Sequence, residues 1–200
     1  MSKNNSPKFA FFYLLSLVAL VFMSISVGIV IFQIINKEII DIINPYSGRY
    51  SDEAIKFAIS SIIVATPIFY ITTKQIYKNL FKGDLNEEAG VRKWLTYFIL
   101  LVSIIVMIAW LIITINGFLD GELTTKSILK TLTALIISGA IFSFYLYDIK
   151  RENVVGKKDK VIATYTWSSL VLVVIVFIVA FMVVESPQET RKRHVDEEVI

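Results

Sequence analysis

The chain has 200 residues, 56% of them hydrophobic and 18% charged, with a net charge of +3 and no cysteine. That apolar share exceeds the level of an ordinary soluble domain. The missing cysteines exclude disulfides, thiol nucleophiles, iron–sulfur clusters and cysteine zinc sites.

The charges are segregated, and this matters more than their number. Phe9 to Asn36, Phe57 to Thr73, Trp94 to Leu119, Thr131 to Tyr147 and Val161 to Val184 carry no charged residue. Hydrocarbon offers no water to the backbone, so such runs must be helices or closed-barrel strands. The alternation of barrel strands is absent. The fold class expected is therefore all-α, a polytopic transmembrane helix bundle.

A span needs about 20 apolar residues, with a lower limit of roughly 17. Five spans are expected, at about 9–36, 54–73, 94–116, 127–147 and 161–184. The second and fourth are near the lower limit, and Lys56 and Lys130 flank them with stems that can lie in hydrocarbon. The first run is too long for a signal-peptide core, so it reads as an uncleaved span.

In chain order, residues 1–8 precede span one, which holds a small-residue pair, Ser24 and Gly28. Ser51, Asp52 and Glu53 read as the start of the second helix after a turn at Asn44, Pro45, Ser47 and Gly48. Ala54, Ala58, Ser61 and Ala65 recur at steps of four, three and four, a stripe that suits close helix packing. Pro67 predicts a kink. The helix can run on through Phe81 to a C-cap at Gly83, with Lys74, Lys78 and Lys82 as a basic stripe at headgroup level. That stripe reads either as topology-setting charge or as a docking site for anionic lipid or protein. Asn86 is a candidate N-cap for the next helix. The turn from Asn116 to Thr125 makes spans three and four antiparallel neighbours. Span five should end near Val184, ahead of Pro187, with 185–200 as an external tail.

Positive charge in short loops marks the cytoplasmic side. The N-terminus and the second and fourth loops together hold 12 Lys and Arg, against 8 in the first and third loops and the tail. The second group also holds most of the acids. The expected orientation is N-terminus inside and C-terminus outside. Trp94, Tyr97, Tyr165, Trp167, Tyr70, Tyr77, Tyr145 and Tyr147 crowd the inner interface, as an aromatic belt would.

No Asp, Glu, Lys, Arg or His lies mid-span. This argues against a proton pump or a voltage sensor. Serines such as Ser16, Ser60, Ser138 and Ser169 read as packing contacts before they read as a polar path. No catalytic residue, cofactor signature or metal-ligand spacing is present, and the chain is not expected to be an enzyme. The partners expected are the lipid bilayer and another membrane protein or a second copy, with no nucleic acid.

Pro7-Lys8-Phe9, Val91 to Tyr97, Asp120 to Leu123, Phe144 to Arg151 and Glu185-Ser186-Pro187 follow an order of features that resembles an uncharacterised bacterial family of small multispan membrane proteins, a domain of unknown function. The resemblance implies a bacterial cytoplasmic membrane, and it points to a tail that begins a further external region; the alternatives are a tail helix docked on a partner and a frayed terminus. It implies no activity and no site residue. The function expected is a membrane-embedded scaffold or interaction module. The alternative is a transporter or channel for a small neutral solute.

Overall fold

The computed structural model describes residues 7–39, 48–83, 90–151 and 155–184. Within them lie α1 (Pro7–Glu38), α2 (Asp52–Lys82), α3 (Gly90–Leu119), α4 (Thr125–Lys150) and α5 (Lys160–Val183). Each is long and apolar enough to cross a membrane. At about 1.5 Å per residue, α2 with its 31 residues is about 46 Å long, well beyond a hydrocarbon core of about 30 Å.

The helix ends follow local chemistry. Ser51 is extended, and its hydroxyl accepts from the Ala54 amide, with Asp52 and Glu53 in the first turn. Gly83 closes α2 at φ 72, a left-handed conformation that costs glycine little, and its N–H reaches the carbonyls of Asn79 and Leu80. Thr124 caps α4 and Asp159 caps α5. Helix α3 runs on to Leu119, past the expected end of its span. The turn after it closes through the Glu122 amide on the Gly117 carbonyl, at 2.8 Å. Asn86, Asn44, Pro45, Ser47 and the 185–200 tail lie outside the described residues.

Cross-helix contacts give the directions. Ser16 meets Thr73 and the Gln33 side-chain Oε1 accepts from the Ser51 amide, so α1 and α2 are antiparallel. Thr114 on α3 meets Thr131 on α4. Lys37 Nζ and the Tyr50 hydroxyl both donate to the Val183 carbonyl, at 3.2 Å each, which holds the end of α5 beside the end of α1. One end of the bundle therefore gathers the start of α1, the end of α2, the start of α3, the end of α4 and the start of α5.

Helix α1 is the hub. It touches all four other helices and packs most extensively on α2. The core runs between them through Leu20, Met23, Val27 and Val30 on α1 and Ile55, Ile59, Ile62 and Phe69 on α2, joined by Ile99, Val173, Val176 and Ala180 from outside the pair. Helix α5 makes far fewer contacts and leaves most of its surface uncovered within the chain.

Candidate functional site

At the end where α3 starts and α4 stops, charged groups enter the protein interior. Asp148 lies in the last turn of α4, where the helix macrodipole disfavours an anion and the final carbonyls lack partners. Arg92, in the first turn of α3, answers both problems. Its Nη2 donates to the Asp148 backbone carbonyl at 2.9 Å and to Oδ2 at 3.1 Å. Both residues are buried, at 2% and 5% exposure. Arg151, the C-cap of α4, pairs with the other carboxylate oxygen of Asp148.

Arg151 extends this cluster to α5. Its Nη1 lies 3.6 Å from Asp159 Oδ2, and its guanidinium sits over the Tyr77 ring at 5.5 Å. Asp159 caps α5 through the amides of Val161 and Ile162 and accepts from the Tyr147 hydroxyl at 3.0 Å. What burial it has raises its pKa, but the Ile162 amide, the Tyr147 hydroxyl, the Val161 amide and Arg151 outweigh that and hold the carboxyl below the usual carboxylate range. The ends of α2, α3, α4 and α5 thus meet in one network. The Gly156 amide donates to the Phe81 carbonyl at 3.0 Å, fastening the α4–α5 loop to the end of α2.

Beside this network is a cavity of about 30 Å³, lined by Tyr13, Ser16, Thr96, Tyr145 and Asp148 among others. The Tyr13 hydroxyl is buried there without a hydrogen-bond partner among the described residues. The space suits a single water molecule. The arrangement can hold charge rigidly and join helix ends. Among the described residues no three His, Cys, Asp or Glu side chains gather closely enough to hold a metal.

Two larger cavities flank α1. One, of about 310 Å³, lies between α1, α2, α4 and α5, with Met23, Val27, Phe69, Ile137, Leu172 and Val173 on its walls. It also carries hydroxyls, of which Tyr70 and Ser169 bond to each other at 2.8 Å. The other, of about 350 Å³, lies between α1, α3 and α4, with Phe32 and Trp110 packed edge-on at its wall. No charged side chain lines either one.

On the α2 stripe, Ala58 and Ala65 are buried, while Ala54 and Ser61 are half-buried. The most buried line of α2 runs beside the stripe through Ile55, Ile59 and Ile62, because it faces α1. Pro67 is exposed, and α2 continues through it as one helix. Lys74, Lys78 and Lys82 are exposed along the last turns. The aromatic residues divide. Trp94, Tyr97 and Trp167 point outward, whereas Tyr77 and Tyr145 turn toward the charged network.

The network was not singled out in the sequence. Arg92 and Arg151 count there as topology-setting loop cations, and Asp148 only as part of the Phe144 to Arg151 segment. A usable signal did exist: an acid directly after a charge-free run, at a helix C-terminus, requires a cation close by.

A family model described as a domain of unknown function (DUF5671) matches residues 10–145, more than half of the chain, taking in Arg92 and ending just before Asp148. No curated protein and no solved structure matches. By the extent of that match, this chain, whose described residues form five apolar, span-length helices, belongs to the DUF5671 family.

Proposed function

We propose that this protein is a membrane-embedded scaffold or interaction module rather than an enzyme, set in a bacterial cytoplasmic membrane with its N-terminus inside and its C-terminus outside. Its partner is another membrane protein or a second copy of the chain. The observation that carries this reading is the division of polar chemistry. The charged groups sit at the helix ends and tie those ends together, while the two cavities described beside α1 have walls without a charged side chain. A pathway for an ion would need such groups or a run of backbone carbonyls facing water. The weakly covered faces of α3 and α5 supply surface for a helix partner.

A second reading, a carrier of a small neutral solute, is favoured by the hydroxyls on the cavity between α1, α2, α4 and α5. One experiment separates the two. Photo-crosslinking residues placed at Ile105 on α3 and Ile175 on α5, both exposed, should trap a discrete protein partner in intact cells. Purified protein in liposomes should not accelerate the entry of glycerol or a sugar. Saturable entry of such a solute, with no trapped partner, would establish the carrier instead.

A further inference from the structure

The cavity between α1, α2, α4 and α5 is polarised along the helix axes. Toward the end that carries the charged network, its walls hold the hydroxyls of Tyr70, Thr73, Tyr165, Thr166, Ser168 and Ser169. Farther in, they are Met23, Val27, Ile136, Ile137, Leu172 and Val173. Ser24 is the exception on the deep wall, and its hydroxyl is satisfied by its own helix through the Val21 carbonyl. Beyond the hydroxyl belt the α2 wall continues outward. Lys74 follows Thr73 directly and lies one turn past Tyr70, about 6 Å farther along the axis at 1.5 Å per residue. Lys78 is one turn beyond that. Both lysines are exposed.

Apolar depth, then hydroxyls, then cations is the polarity profile of an acylated glycerophosphate, read from tail to headgroup. We propose that this groove holds one membrane phospholipid of negative net charge. Its acyl chain lies against Val27, Ile137 and Leu172, its ester and glycerol oxygens lie level with the hydroxyl belt, where Tyr70, Tyr165, Thr166 and Ser169 already donate within the protein and supply polarity rather than free donors, and its phosphate is held by Lys74 and Lys78. An anionic headgroup is specified because the nearest charges on the α2 rim are lysines and no acid lines the groove. A zwitterionic lipid would bring a cationic amine to the same place. Attraction of acidic lipid to such cations at the membrane surface is an established effect. The lipid would lean on α2 and α5, which touch each other little, and would complete the packing between them. The assignment holds whether the protein is a scaffold or a carrier, since it concerns a bound lipid and not a transported or protein partner.

The test is native mass spectrometry of the full chain released from vesicles of equal phosphatidylglycerol and phosphatidylcholine with matched acyl chains. The protein should retain one phosphatidylglycerol with at least a fivefold preference over phosphatidylcholine. Joint Lys74→Gln and Lys78→Gln replacement should bring the preference to parity, and Lys→Arg replacement at both sites should keep it. Ser168→Trp, on the groove wall, should abolish retention of either lipid while helical content is unchanged. The proposal is overturned if the wild type retains both lipids equally, if the Gln variant keeps the preference, if Ser168→Trp retains lipid as before, or if a second copy of the chain rather than lipid accompanies it.

Discussion

Arg92 and Asp148 stand 56 positions apart, yet one guanidinium nitrogen of Arg92 bonds to both the backbone carbonyl and the carboxylate of Asp148. A single contact thereby neutralises a buried acid, caps the end of α4 and anchors the start of α3.

Removing one partner leaves the other charged and buried. Asp148→Asn takes the carboxylate from both Arg92 and Arg151 and should destabilise the protein by roughly 3–5 kcal/mol, whereas Arg92→Gln, which leaves Arg151 on Asp148, should cost less. Thermal unfolding in detergent measures both. Single variants that melt like the wild type would show that the pair carries no net weight.

Asp159 makes acid stability sensitive to its protonation. Its folded pKa is depressed, because the amide, hydroxyl and arginine partners outweigh burial. A depressed carboxyl contributes stability that is complete above its unfolded pKa of about 4 and is lost as pH falls through the lower folded value. Asp159→Asn keeps a capping oxygen but cannot titrate. Its melting temperature should therefore fall less steeply than that of the wild type between about pH 5 and pH 3. Parallel slopes would place the acid sensitivity elsewhere.

Overpacking tests the α2 stripe. Ala58 is fully buried and Ala65 is 5% exposed, so Ala58→Leu and Ala65→Leu should each cost about 1–3 kcal/mol. Ala54, only half-buried, should tolerate leucine better. Equal tolerance at all three positions, judged by melting in detergent, would place the working contact of α2 off this stripe.

Topology is accessible through cysteine labelling, because the chain has no native cysteine. Gly83, Gly121 and Gly156 adopt positive φ and would be strained by cysteine, so the exposed Lys82, Asp120 and Lys157 are better positions, together with Ser2 and Glu198. Ser2, Lys82 and Lys157 should react only after permeabilisation, and Asp120 and Glu198 in intact cells. Reaction of Lys82 and Asp120 from the same side would refute the alternating arrangement.

By itself the sequence determined that five helices form and where several of them begin and end. Those outcomes are local: a charge-free run in hydrocarbon must satisfy its own backbone, and Ser51 and Gly83 cap α2 through atoms only a few residues away. It also marked Val91 to Tyr97 and Phe144 to Arg151 as distinctive segments, without indicating that Arg92 and Asp148 in them would meet. Only the tertiary structure decided that α1 is the hub, that α5 is loosely held, and that the hydroxyls of Tyr70 and Ser169 share one groove. Apolar spans resemble one another in composition, so periodicity cannot rank their mutual contacts. A charge at a helix end reads the same in a sequence whether it faces water or a partner, and only the packing of α3 against α4 distinguishes the two.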